Sequence, residues 1–176
     1  DHPARDGRGG LPGRPAVKAA VRPFHPADGP GVLALILSIQ RQEFGIPITA
    51  EDQPDLAAIP AFYQCGAGQF WVAERHGVVV GTIGLKDIGG RAAALRKMFV
   101  GPEARGQAGV ASALLAAALD HARAFRLADV WLGTTDRFQA AHRFYEKNGF
   151  HRIQVSDLPE AFPRMAVDTV FYRLAL

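Results

Sequence analysis

At 176 residues, 48 % of them hydrophobic, the chain is long enough for one domain with a sizeable core and too apolar for a disordered composition. Of its net charge of +3, +2 lies in residues 1–20, where Arg5, Arg8, Arg14 and Lys18 face Asp1 and Asp6, and the near-neutral remainder excludes a broad nucleic-acid-binding face. No apolar run approaches the ~20 residues that span a bilayer, and the lone Cys65, with no Cys/His cluster, excludes an internal disulfide and a zinc site.

These features, with no apolar stretch near the N-terminus, predict a cytoplasmic protein without a metal. Residues 1–15 read as a flexible leader and residues 16–176 as a single domain. The loose alternation of residues 16–24 predicts a first strand. Asp28-Gly29-Pro30 opens a helix with Val32, Leu35, Ile36 and Ile39 at helical spacing. Residues 46–68 form a Pro-broken connection with a short helix over 55–64. Two strands around His76-Gly77 predict an antiparallel hairpin, and "AAALRKMFVG" a fourth strand.

A long helix follows, over residues 109–125. Val110, Leu114, Ala118, Ala122 and Phe125 form an apolar stripe, widened by Ala111, Leu115 and Leu119, as in a helix packed on a sheet. "ADVWLGTT" is a fifth strand. Asp136 with Gln139 three residues on reads as a capping box, opening a helix that stops at Asn148-Gly149. Short strands over 150–155 and 167–174 close the domain. This order predicts an α+β fold with a mixed, mostly antiparallel central sheet flanked by helices. One crossover, strand–long helix–strand, is parallel and right-handed.

The head of the long helix carries the functional signal. A strand ends at Gly101-Pro102, a glycine-bearing turn follows, and the helix begins with no Ser, Thr, Asp or Asn to cap it. The first four N–H groups of a helix lack intrahelical partners and, with the helix dipole, favour an anion. Glycine lets a ligand approach the backbone closely, and Arg105 adds a cation. A Walker A motif is absent, and Gly106 and Gly109 alone do not make a Rossmann fingerprint. A third pattern, Arg/Gln-x-x-Gly-x-Gly/Ala after a strand, cradles the pyrophosphate of coenzyme A, and "RGQAGVASALL" is close to it.

Two segments in order, "LRKMFVGPEARGQAGVASALL" (95–115) and "AAHRFYEKNGF" (140–150), resemble the GNAT N-acetyltransferase superfamily, and the resemblance extends over residues 17–176. It implies the GNAT-like acyl-CoA N-acyltransferase fold and transfer of acetyl from acetyl-CoA, as co-substrate, to an amine in a ternary complex. It assigns pyrophosphate binding to Arg105, Gly106, Gln107, Ala108, Gly109, Val110 and Ala111. It assigns the pantetheine arm to the backbone of Met98, Phe99 and Val100, one N–H of which polarises the thioester carbonyl. Tyr145 takes the position of the general acid for the leaving thiolate.

The chain departs from the family pattern in three places. One residue is inserted between Arg105-Gly106 and Gly109-Val110-Ala111; Phe138 stands where many members carry Asn; and Ala92-Ala93-Ala94 stand where many carry a basic Glu. The base is left open among Glu43, Asp52, Glu74, Asp87, His142, Asp168 and a water chain. The acceptor is a small-molecule amine or a protein amine; Glu43, Glu51, Asp52 and Asp55 hint at a cationic one, and surface solvation accounts for them equally. A homodimer is compatible with such a fold. The insertion and the missing Glu motivate an alternative, a catalytically silent CoA-binding regulatory module.

Overall fold

A computed structural model describes residues 19–106 and 109–176. Seven strands make one sheet: β1 (Ala20–Pro23), β2 (Gln69–Arg75), β3 (Val78–Gly89), β4 (Ala92–Val100), β5 (Asp129–Thr134), β6 (His151–Ile153) and β7 (Val170–Ala175). Their spatial order is β1-β2-β3-β4-β5-β7-β6. Every neighbouring pair is antiparallel except β4 and β5, which are parallel and joined through helix α3 (Val110–Ala124). The α+β class, the hairpin and the single crossover are therefore as the sequence predicts. The insertion of β7 between β5 and β6 is not written in any local pattern.

Helix α1 (Gly29–Ser38) widens into a π turn over Ile39–Glu43. The helix expected over 55–64 is instead a 3-10 turn (Pro54–Ala57) and one α turn, α2 (Ile59–Phe62). Pro60 has no N–H to donate and fits only the first turn of a helix, so the helix restarts there. Helix α4 (Gln139–Lys147) also corrects the sequence reading. Its N-cap is Phe138, without a side-chain cap; the Asp136 carboxylate accepts from the Thr135 hydroxyl (3.2 Å) instead.

The sheet separates two cores. On one side α3 lays Val110, Leu114, Leu115, Ala118, Leu119 and Ala122 on the strands. Phe125 falls out of the predicted stripe, because the helix ends at Ala124; it is 52 % exposed and stacks on His121. On the other side α1 and α2 bury Val32, Ile36, Ile59 and Tyr63 against Phe70 and Val72. Strand β4 alternates between faces: Ala93 and Leu95 join the α3 core, while Ala92 and Ala94 pack near Trp131 and Phe162.

That alternation breaks at a bulge. Gly84 pairs with Arg96 and Thr82 with Phe99, so a two-residue step on β3 faces a three-residue step on β4. Lys97 takes up the extra residue at φ 54°, and the buried Thr82 hydroxyl donates to its carbonyl at 2.7 Å. Pairing of β4 with β5 stops at Ala94–Trp131. Beyond it the strands part, and the site lies in the gap.

Candidate active site

On the α3 side a cavity of about 700 Å³ opens between the end of β4 and helix α4. Met98, Phe99 and Val100 form one wall and Ala141 and Tyr145 the opposite one. Arg105, Gly106, Gly109, Val110 and Ala111 close the end. Of the residues predicted to hold the cofactor, only Gln107 and Ala108 lie outside the described residues. Gly106 and Gly109 are both left-handed, at φ 68° and 63°. Gly109 is the N-cap of α3 and supplies no side-chain cap, which leaves the first N–H groups of the helix without one, and Gly109, Val110, Ala111 and Ser112 line the cavity. Room, glycine backbone and an uncapped helix head together fit an elongated ligand ending in phosphate.

Arg105 is held ready at the rim. Its Nε donates to the Val100 carbonyl at 2.8 Å, and its guanidinium makes a two-pronged ion pair with Glu43, one prong at 2.9 Å. Glu43 thus partners the loop arginine. Next to it Arg137 Nη1 donates to the Phe44 carbonyl (3.2 Å), and the Phe44 and Phe138 rings meet edge to face at 4.1 Å. Phe138, in the place of an expected Asn, is therefore an apolar wall.

Tyr145 is 5 % exposed, with its ring against Phe150 (5.6 Å) and Tyr172 (6.1 Å). Among the described residues its hydroxyl has no hydrogen-bond partner, and the residue borders both this cavity and a second one. Burial pushes its pKa well above the usual phenol value, so the hydroxyl keeps its proton.

The second cavity, about 100 Å³, shares Met98, Phe99, Phe138, Ala141 and Tyr145 with the first. Its charged lining is Arg96, Lys97 and Asp168. Asp168 is 8 % exposed and accepts from the Met165 N–H at 2.9 Å. It lies so tightly on β5 that a Cβ at Gly133 would meet it at 2.8 Å, which is why that position is glycine. Burial pushes its carboxyl up, against the pull of nearby Arg96 and Lys97.

Lys97 is the residue that sequence reading missed. Its Nζ donates to Gln53 Oε1 at 2.6 Å and lies 3.7 Å from Asp55. Burial pulls its ammonium down from 10.5 to about 8, with Asp55 opposing. Between those values the unfolded chain binds more protons than the folded one, so stability rises with pH across that window. Denaturant melts at pH about 7 and about 10 should show this rise, reduced in Lys97→Met.

The remaining base candidates are engaged elsewhere. Asp52 accepts from the Thr49 N–H and hydroxyl, Glu74 pairs with Arg22, and Asp87 takes the N–H groups of Ala67 and Gly89. The His142 ring bonds to the Thr135 carbonyl at 2.9 Å. Of the six side chains, Asp168 alone lines the second cavity. The acidic patch behind the hint of a cationic acceptor is likewise dispersed: Asp55 takes the Tyr63 hydroxyl at 2.5 Å, Glu43 takes Arg105, and Glu51 is exposed.

The family model described as Acetyltransferase (GNAT) family matches residues 33–150, which contain the glycine turn, the parted strands and Tyr145. The chain belongs to the GNAT family. Its fold is that of a GNAT structure from Staphylococcus aureus MU50, at a TM-score of 0.86 and 37 % identity, covering 89 % of this chain and 98 % of that one. Among curated proteins it is 36 % identical over 126 residues to a Mus musculus protein named "Probable N-acetyltransferase family 8 member 5", covering 69 % of this chain and 55 % of that protein. It is 34 % identical over 125 residues to the N-acetylaspartate synthetase of Danio rerio, covering 68 % and 44 %. The chain thus spans about half the length of the curated relatives it matches. On either side of the additional residue, Gly106 and Gly109 both line the larger cavity. Among the described residues no helix is long and apolar enough to cross a membrane.

Proposed function

We propose that this GNAT protein moves the acetyl group of acetyl-CoA to an amine by direct attack within a ternary complex. The observation that carries the reading is the meeting of two cavities at Tyr145, across the gap between β4 and β5. The larger one suits a donor arm and the smaller one an acceptor. Acetyl-CoA supplies the acetyl group and departs as the thiol.

The head of α3 and Arg105 bind the phosphates, and Glu43 yields Arg105 or shares it. Backbone groups of Met98, Phe99 and Val100 align the arm along β4, where one N–H polarises the carbonyl under attack. Asp168, its carboxyl raised by burial, takes a proton from the acceptor ammonium. Tyr145 keeps its proton until the sulfur leaves, passes it to the thiolate, and regains one as the newly acylated nitrogen sheds its second proton. The proposal places the reaction in the cytoplasm and takes residues 16–176 as one catalytic domain.

The test is calorimetry with acetyl-CoA, followed by thiol release with a panel of amines. Micromolar binding, roughly −8 kcal/mol, with thiol release above the amine-free rate is the expected result. Binding without release would favour a silent CoA-binding module, and no binding at millimolar acetyl-CoA would overturn both readings.

A further inference from the structure

We propose that the acceptor is an amine that also carries a carboxylate, an amino acid or a close analogue: Arg96 and Lys97 receive the carboxylate while Asp168 faces the amine. This rests on the acetyl-transfer reading and specifies its substrate.

Consecutive residues of a regular strand point to opposite faces. The Lys97 bulge cancels that rule. Arg96 Nη2 and Lys97 Nζ both come within 4.0 Å of the same Asp55 oxygen, so two neighbouring cations share one face and one small cavity. Both side chains are nearly out of solvent, at 12 % and 3 % exposed.

Their hydrogen-bonding capacity is largely unused. A guanidinium carries five N–H donors. Here Arg96 spends Nη1 on the Pro163 carbonyl (2.9 Å), while its Nε is buried without a partner. The Asp55 carboxylate lies 4.0 Å from Arg96 and 3.7 Å from Lys97, too far to hydrogen-bond well, and is committed to the Tyr63 hydroxyl. Lys97 has one short bond, to Gln53, and a weak one to the Met165 sulfur at 3.9 Å. Buried, charged and under-bonded donors are costly unless an acceptor arrives. A planar carboxylate is the group whose geometry matches the guanidinium fork.

Asp168, in the lining of the same cavity, completes the match. Asp168 rests on Gly133 of β5, and it is the one carboxylate lining the cavity among the described residues. An acceptor with both charges finds a partner for each. A polyamine finds Asp168 but must bring its other charges against Arg96 and Lys97, which is repulsive and selects against it. A neutral amine leaves the buried donors unpaired, and such a site discriminates strongly against ligands lacking the bonded group. The cavity of about 100 Å³ favours a small acceptor over a protein segment.

The experiment uses the full chain with acetyl-CoA and follows thiol release. Acceptors are offered as matched pairs, L-alanine with L-alaninamide and L-aspartate with L-asparagine, with spermidine as the cationic control. In at least one pair the acid should exceed its amide in kcat/KM by about 100-fold, and spermidine should lie near the acceptor-free rate. Arg96→Gln should raise the KM of the preferred acid about 30-fold and leave the Kd of acetyl-CoA within about two-fold, with partial recovery in Arg96→Lys. A merely structural role would move both constants and the melting temperature together.

Equal rates for acids and amides, efficient acetylation of spermidine, or an unchanged KM in a folded Arg96→Gln would overturn the carboxylate assignment and leave acetyl transfer standing. Acetyl-CoA that binds but is never consumed, or that does not bind, would overturn the acetyl-transfer reading and this assignment with it.

Discussion

Gly109→Val should weaken acetyl-CoA binding by about 100-fold, the loss of one or two hydrogen bonds to a charged group. Gly109 sits at φ 63° directly before α3, and among the described residues a Cβ added there would meet nothing nearer than Ser112 at 3.8 Å. The obstacle is the left-handed backbone. A β-branched side chain there costs of the order of 1–3 kcal/mol, and the turn relieves it by rotating out of that region. Rotation re-aims the backbone of Gly109 and the first turn of α3, which line the cavity. The body of the helix is held by Leu114, Leu115 and Ala118, all buried, so the fold should persist at lower stability. Calorimetry with acetyl-CoA and with CoA, beside a thermal melt, separates the two effects. A folded variant with undiminished affinity would remove this turn from the binding site.

Tyr145→Phe should cut kcat by about 10²- to 10⁴-fold while leaving the acetyl-CoA Kd within about two-fold, the signature of a lost proton donor. The phenyl ring retains the contacts with Phe150 and Tyr172, so packing is preserved and only the hydroxyl is lost. Because burial raises the phenol pKa, the native enzyme should lose no activity to Tyr145 ionisation as pH approaches 10, the ordinary value for that group. Single-turnover thiol release, measured against pH in both proteins, checks the claim. Full activity in the phenylalanine variant would leave Tyr145 as core packing.

The strand–turn–helix stretch that lines the larger cavity was legible because it is local. Strand, glycine turn and uncapped helix follow one another between Ala92 and Ala124, and the structure brings Met98, Val100, Gly109 and Ala111 to one cavity. The failures have equally local causes. The apparent capping box at Asp136 lost to a competing bond from Thr135. The acidic residues near position 50 looked available on paper, yet Asp52 closes its own turn and Asp55 is buried against Tyr63. Charge counted along a chain does not say which charges are already spent.

By itself, then, the sequence determined the α+β order, the hairpin, the parallel crossover and the uncapped glycine start of α3, because periodicity and turn chemistry act over a few residues. Only the tertiary structure decided the second cavity, with its Arg96, Lys97 and Asp168. Arg96 and Lys97 share a face because the step on β3 between Thr82 and Gly84 is one residue shorter than its counterpart on β4. Lys97 then meets Gln53, 44 residues earlier, and Asp168 comes to the same cavity from the far side of β5. Such contacts depend on register and strand order, which long-range packing sets and no short stretch of sequence encodes.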